Sequence, residues 1–407
     1  MAASAPVPNP LNEDPHGRAT VVHVITGLDV AGSELVLAQL VSGARRHRHV
    51  VVSLGSEGQI GARLRDKGIP VHALGLRFSN PLPGFLRLLK ILRAERARIV
   101  QGWLAHGNFA AALAQRLLGP DVRLLWTIRQ SLSDLALEKR TTRAIIRLNA
   151  RLSRRPTRII YNSHLSACQH EAIGYAPERR LVVANGFDLE RFRPSDPRRE
   201  TMRRTLGFSN EEVVVGLIGR FHATKNHRTF FAAAARVLAA EPNARFLLAG
   251  TGVTTDNPAL LAEVEDTAIL ECSRLLGTRD DVEALNNALD IACNVSIGES
   301  FSNAVGEAMA SGVPCVVTET GDALQLVGDT GIVCTARDDR TIADAICRLI
   351  AQGEEPRRRL GARARSRMER NYSLEAMVAH YEDLYDATLG TPFRVAYNMV
   401  LPATGRR

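Results

Sequence analysis

Two glutamates, Glu299 and Glu307, flank the start of a helical pattern in the stretch GESFSNAVGEAMASGVPCVVT. A carboxylate in an apolar neighbourhood is costly unless a protein group or a ligand partners it. Helical spacing begins near Ser302, which leaves the backbone N–H groups of Asn303, Ala304 and Val305 without intrahelical acceptors. Such N–H groups attract an anion. A diphosphate resting there would have Glu299 on one side and Glu307, about a turn and a half inside the helix, on the other. The inner carboxylate could accept hydrogen bonds from ribose hydroxyls, the outer one from sugar hydroxyls. The plainer alternative, a capping arrangement with Glu307 as an ordinary helix residue, accounts poorly for Glu299.

Upstream, the segment GRFHATKNH sets Arg220 directly after the apolar run VVVGLIG, with Lys225 five positions further on. Two cations at one strand terminus repel each other unless an anion lies between them. The planar fork of arginine and the mobile point charge of lysine together suit a diphosphate; the alternative is that both face solvent. In QGWLAHGNFAAAL, His106 falls at a strand-to-helix transition, where a side chain can face an interdomain cleft. A lone histidine is more often structural, and only its place at a strand end makes it a candidate. TGLDVAGSE turns at Gly27 and Gly32 into a helix near Ser33. It is not a GxGxxG, and no acid closes the following strand to hold a ribose, so a nicotinamide-dependent oxidoreductase is poorly supported.

The elements that must hold these residues are short β-branched runs alternating with helical patterns. VVHVIT, HVVVSLG, RIVQGW, VRLLWTI, RIIYNS and LVVANGF fill the first half; VVVGLIG, ARFLLAG, IACNVS, PCVVT and GIVC fill the second. Strands apolar on both faces and separated by helices predict parallel sheets covered on both sides. Two successive sets predict an α/β protein of two Rossmann-like domains, with ligands at the carboxyl ends of the strands. The expected boundaries are a disordered tail over 1–18, a first domain over 19–190, a polar linker over 191–210, and a second domain over 211–387. The last residues, 388–407, are expected to return to the first domain.

The chain of 407 residues carries a net charge of +9, which favours an anionic partner. From Lys139 to Arg158 there are eight basic residues and no acid. Two readings stand: a solvated helix face, or a docking surface for an anionic membrane or acceptor. Nucleic acid is the weakest partner, because no aromatic residues interleave with the arginines. The six cysteines occur singly, and Cys293, Cys315 and Cys334 lie in apolar runs, which suits a reducing cytoplasm. No run of about 18 apolar residues is present, and the first residues lack the apolar core of a secretory signal.

Taken in order, GRFHATKNH and GESFSNAVGEAMASGVPCVVTETG resemble the retaining glycosyltransferases of family 4, of the GT-B fold and bacterial cell-surface polysaccharide type. AHGNFAA, NGFDLERFRP and LLGTRDDVEAL extend the resemblance over nearly the whole chain from about Val21. It implies two Rossmann-like domains facing each other across a cleft, with a nucleotide-sugar donor, most often UDP-linked, held by the second. Arg220 and Lys225 would then neutralise the departing diphosphate, Glu307 hold the ribose, and Glu299 hold the transferred sugar. Asn303, Ala304 and Val305 would offer backbone N–H groups, and His106 would face the reacting sugar. Gly32 corresponds to a glycine pair that closes on the diphosphate, although here the pair reads Ala31-Gly32. Arg279 would lie near the base, with Asp280 and Asp281 equally suited to capping the next helix. Arg129 and Lys139, in TIRQSLSDLALEKR, are guesses at acceptor contacts.

The chain contains no Asp-x-Asp, so a metal clamp is not indicated and no cofactor is expected. The resulting expectation is a cytoplasmic, membrane-peripheral transferase acting on a saccharide or lipid-linked acceptor. A nucleotide-sugar epimerase or hydrolase of the same architecture is the alternative; a non-catalytic anion binder would leave the glutamate pair unexplained.

Overall fold

The computed structural model describes residues 18–390 except 77–79, 133–134, 136–138 and 336. The tail expected before Arg18 and the segment after Gly390 lie outside the described residues. The chain divides into two units. One is Asn185–Leu374; the other comprises the residues up to Ala184 together with those from Glu375.

In the first unit the β-branched runs become β1 (Thr20–Ile25), β2 (Arg48–Ser53), β3 (Val71–Ala73), β4 (Ala97–Trp103), β5 (Arg123–Ile128), β6 (Arg158–Tyr161) and β7 (Arg180–Val182). They form one parallel sheet in the order β3-β2-β1-β4-β5-β6-β7. The connecting helices are α1 (Gly32–Gly43), α2 (Gly58–Asp66), α3 (Leu82–Ala94), α4 (Leu104–Leu118), α5 (Arg140–Leu152) and α6 (His164–Ala172). Both faces of the central strands are buried, as their largely apolar runs require, and polar side chains among them, His23 and Gln101, are buried with partners. The strand order reverses between β1 and β4, and a crevice outside their carboxyl ends follows from that reversal.

The second unit repeats the plan. Its elements are α7 (Asp196–Leu206), β8 (Val213–Ile218), α8 (His227–Ala240), β9 (Ala244–Ala249), α9 (Pro258–Leu261), α10 (Ala268–Glu271) and β10 (Ser273–Leu275). Then come α11 (Val282–Ala288), β11 (Ile291–Asn294), α12 (Asn303–Ala310), β12 (Cys315–Thr318), α13 (Ala323–Val327) and β13 (Gly331–Cys334), followed by α14 (Asp339–Ala351) and α15 (Glu354–Asn371). The parallel sheet runs β10-β9-β8-β11-β12-β13 and reverses between β8 and β11. Cys293, Cys315 and Cys334 are free thiols buried in its core.

Two boundaries differ from the sequence reading. The stretch 191–210 is not an open linker: α7 lies within it, capped by Ser195, whose hydroxyl accepts the Arg198 N–H, and closed by left-handed Gly207. Its arginines hide the reason. Arg203 is 2% exposed and reaches Asp290 at 3.0 Å, while Arg199 reaches the same carboxylate at 2.7 Å. The return to the first unit starts at Glu375 rather than 388 and is made by α16 (Leu374–Leu389). Tyr381 and Tyr385 are fully buried there, the Tyr385 hydroxyl donating to Gln101 Oε1 at 2.7 Å. Glu382 accepts the backbone N–H groups of Arg45 and Arg46 at 2.6 Å each.

Candidate functional site

The loops that leave β8 and β11, the two strands at the reversal of the second sheet, and the helix α12 that follows the second loop carry four of the predicted residues. Arg220 follows β8, and Lys225 ends a 3-10 turn over Ala223–Lys225. Glu299 lies in the loop after β11, and Glu307 lies in α12. Two backbone contacts fix the first loop. The Ile297 N–H donates to the Thr224 carbonyl at 2.8 Å, tying the two loops together. Gly250, with φ +151°, lets the end of β9 press against the Gly219–Arg220 peptide; a Cβ there would meet the Gly219 oxygen at 2.2 Å.

The Lys225 ammonium is ion-paired with Glu299 Oε1, and the Ser296 hydroxyl donates to the same oxygen at 3.1 Å. Both charged side chains are mostly buried, at 21% and 16% exposure. Glu299 therefore has a protein partner, the one the sequence left open. Arg220 is exposed and, among the described residues, makes no ion pair. Thr318 and Thr320 both donate their hydroxyls to the Ser296 carbonyl, at 2.6 and 2.7 Å, and hold the loop in front of α12. These threonines went unread, although their alternation in VVTETG at a strand end is visible.

Helix α12 starts at Asn303 with Ser302 at the cap position, and the Ser302 side chain makes no capping bond. Instead Ser302 Oγ accepts from Asn294 at 3.0 Å. The first hydrogen bond within the helix is that of Gly306, to the Ser302 carbonyl at 3.3 Å, so the three expected N–H groups carry no intrahelical acceptor. The Asn303 side chain accepts from Asn185 at 2.5 Å. One turn further in, burial pushes the Glu307 carboxyl up to about 7; Arg191 opposes that shift and Glu283 adds to it. Arg191 and Glu283 are themselves paired at 2.8 Å. Glu307 thus lies near the first turn of α11, which carries Glu283 and follows the loop with Arg279. Arg279 makes a bidentate pair with Asp281 at 2.8 and 2.6 Å. Asp281 consequently does not cap α11, contrary to one expectation for it.

In the first unit, His106 lies in the first turn of α4, after β4. Leu104, which opens that helix, has φ 62°, a left-handed value that costs a leucine about 1 kcal/mol. Gly107 packs so closely on β1 that a Cβ would meet the Val24 oxygen at 2.3 Å. These two features seat the histidine at the β1–β4 reversal. His106 helps line a cavity of about 450 Å³ with Thr26, Asp29, Glu34, Gln130 and Thr142. Burial holds the imidazole below its ordinary pKa, so it is neutral at pH 7. Burial also raises the Glu34 carboxyl, against its own backbone hydrogen bond and with Asp29 adding to the rise. Glu34 and Asp29 were not anticipated; an acid in the first turn of a helix reads as ordinary dipole complementarity.

The remaining predicted residues fall less neatly. Gly32 is exposed at the start of α1, and Lys139 is exposed just ahead of α5. Arg129 is 8% exposed, its guanidinium 5.8 Å from the Trp103 ring centre and 3.4 Å from the Tyr381 hydroxyl. That placement runs against the guess of an acceptor contact, since a buried arginine over the Trp103 ring and beside the Tyr381 hydroxyl is held by packing. A second cavity, about 550 Å³, opens at the amino ends of β11 and β12. Its Arg199 and Arg365 already bond Asp290, Glu369 and backbone carbonyls, so it reads as a structural seam. Among the described residues no cluster of three or more His, Cys, Asp or Glu is arranged to hold a metal ion.

Two family models match this chain. "Glycosyltransferase Family 4" covers residues 30–191 and "Glycosyl transferases group 1" covers residues 212–352. An N-acetyl-alpha-D-glucosaminyl L-malate synthase of Bacillus anthracis is 31% identical over 45% of this chain and 48% of its own length. A D-inositol 3-phosphate glycosyltransferase of Corynebacterium urealyticum is 30% identical over 44% of each. The chain thus spans about half the length of these two relatives. A putative glycosyltransferase of Bacillus subtilis, EpsF, is 27% identical over 74% of this chain and 79% of its own. Among solved structures, Anabaena HepE in complex with UDP and glucose superposes with a TM-score of 0.79 at 19% identity, over 91% of this chain and 100% of that one. At that identity the likeness is one of fold.

Proposed function

From the premise that this chain belongs to the family 4 glycosyltransferases, of the GT-B fold, we propose that it moves a sugar from a nucleotide-linked donor to an acceptor hydroxyl. The observation that carries this reading is the charge pattern at the second sheet's reversal. A Lys225–Glu299 ion pair, a helix start whose first N–H groups have no intrahelical acceptor, and the half-buried carboxyl of Glu307 lie on two adjoining loops and the helix that follows them.

In this reading the diphosphate rests on the N–H groups of Asn303, Ala304 and Val305 and takes the Lys225 ammonium. Arg220 supplies a second, exposed cation. As the bond between the sugar and the phosphate breaks, negative charge grows on the terminal phosphate, and fixed donors in a dry site stabilise it as it forms. Glu299, relieved of Lys225, accepts hydroxyls of the sugar, and Glu307 accepts those of the ribose. His106, neutral, keeps the role that the resemblance implies, a hydrogen bond to the reacting sugar. The departing phosphate takes the acceptor's proton, which places attack on the leaving-group face and gives retention.

UDP is the proposed nucleotide, in keeping with the UDP and glucose held by the HepE structure of like fold. The proposed acceptor is a saccharide or lipid-linked saccharide of the cell surface, met at the inner face of the membrane. No helix among the described residues is long and apolar enough to cross a membrane. Metal independence is proposed from the missing Asp-x-Asp, and transfer should survive chelation with EDTA. A thermal-shift panel of UDP-, GDP- and ADP-sugars tests the donor: a ligand at 100 times its dissociation constant stabilises by about 2.7 kcal/mol. No shift with any of them would overturn the reading. An epimer formed from the donor without acceptor would favour the epimerase alternative.

A further inference from the structure

Resting on the donor site of the transferase reading, we propose that Asn294 is a positioning residue that keeps the start of α12 open for a diphosphate. It does so by holding the Ser302 hydroxyl away from the helix N–H groups. Asn294 ends β11 and, apart from the Cys293 thiol, carries the one polar side chain of that strand. It is half-buried, and both ends of its amide are engaged. Oδ1 accepts the Ser296 N–H at 3.2 Å, and Nδ2 donates to Ser302 Oγ at 3.0 Å. The first bond fixes the direction of the amide, because a backbone N–H can only donate. The amino end is thereby left facing Ser302, whose hydroxyl oxygen serves as its acceptor.

Serine is favoured at a helix N-cap because its oxygen accepts the N–H of the second or third helical residue. The same chain does this twice elsewhere. Ser163 accepts the Ser166 N–H at 3.0 Å ahead of α6, and Ser195 accepts the Arg198 N–H at 3.4 Å ahead of α7. Ser302 stands at the same position ahead of α12, also with extended backbone, yet its side chain caps nothing. The equivalent N–H there is that of Val305, one of the three on which the diphosphate rests in the donor reading. A capping hydroxyl and a phosphate oxygen would compete for that hydrogen. Asn294 removes the competition by giving the serine oxygen a different donor.

The surroundings hold Asn294 to this task. Ser296, which fixes one end of its amide, is 1% exposed, and its carbonyl takes the hydroxyls of Thr318 and Thr320. The other end reaches Ser302, which is 7% exposed. One side chain thus closes both ends of the loop that carries Glu299. A helix start without a side-chain cap costs stability unless a ligand satisfies its N–H groups. Loss of Asn294 could act through the loop or through the cap, and removing the Ser302 hydroxyl separates the two.

Isothermal titration of UDP and of uridine tests this on the full chain, as wild type, Asn294→Ala, Ser302→Ala and the double variant. In Asn294→Ala the freed hydroxyl caps Val305 and UDP must displace it. UDP affinity should therefore fall about fivefold, the typical worth of a serine cap, with uridine binding unchanged. Ser302→Ala should bind UDP within about twofold of the wild type. The double variant should match Ser302→Ala, since no hydroxyl remains to compete. Thermal unfolding checks that each variant is folded; Asn294→Val, whose side chain suits a strand, replaces the alanine variant if that one is not. Asn294→Ala with wild-type affinity for UDP would overturn the proposal. So would a double variant as weak as Asn294→Ala, which would make Asn294 a brace for the loop alone. A wild type that binds UDP no better than uridine would instead overturn the donor reading, and this role for Asn294 with it.

Discussion

Glu307 offers a pH-dependent test of the donor site. Its carboxyl is pushed up to about 7 by burial, from an ordinary value of 4.5. A carboxylate that accepts two ribose hydroxyls must be ionised, so the ligand selects the deprotonated form. At pH 6 roughly one molecule in eleven has Glu307 ionised, and at pH 8 roughly ten in eleven. The apparent affinity scales with that fraction, so a donor should bind about tenfold more weakly at pH 6 than at pH 8, close to 1.4 kcal/mol. The suitable ligand is an intact UDP-sugar, because its esterified diphosphate has no group that titrates in this window, whereas free UDP does. Isothermal titration at five pH values, for wild type and Glu307→Gln, reads the slope. The wild type should gain affinity as pH rises through 7, and Glu307→Gln should show a flat profile. The same group predicts stability with the opposite sign. Its folded pKa lies above its unfolded value, so the stability it contributes is fully present below about 4.5 and is lost as pH rises through 7. Glu307→Gln should therefore be more stable than wild type at pH 8, by roughly 1–3 kcal/mol after discounting partial solvent access, and no more stable at pH 4. A sloped profile retained by Glu307→Gln would refute the assignment of the titration to this residue.

Two further substitutions probe the rest of the site. Glu299→Gln should free the Lys225 ammonium for phosphate, tightening UDP binding several-fold while lowering transfer by about 10²–10³. UDP affinity unchanged from wild type would show that the ion pair does not compete with the diphosphate. His106→Ala should lower kcat by about 10²-fold with little change in the dissociation constant of the donor; a kcat equal to wild type would return this histidine to a structural role.

The strands and both candidate loops were legible because they depend on local pattern. Val213 to Ile218 carries no polar side chain and Val21 to Ile25 only His23, and the residues that follow them are charged or carry glycine. β3 and β10 were missed: each has three residues at a sheet edge, and VHA and SRL lack the run of β-branched residues that marked the equally short β7. Helix α7 was hidden by its own arginines, since polarity was read as solvent exposure when Arg199 and Arg203 in fact reach a shared aspartate across the chain. Arg129 failed for the same reason, its aromatic partners Trp103 and Tyr381 being distant in sequence. The Lys225–Glu299 pair was beyond sequence reading, because it depends on how far two loops from adjacent strands lean together. The turn of the Ser302 hydroxyl away from its helix was unreadable for a simpler reason: only the structure shows that Asn294, at a strand end, is the donor that draws it.

Equilibrium binding of UDP and of uridine to the wild type and to Lys225→Ala tests the central claim most directly, since the two ligands differ only in the diphosphate. UDP should bind the wild type at least 100-fold more tightly than uridine, as expected where charge-assisted bonds to phosphate supply about 3 kcal/mol. Lys225→Ala should lose most of that difference and leave uridine binding unchanged. Equal affinity of wild type and Lys225→Ala for UDP would contradict the account.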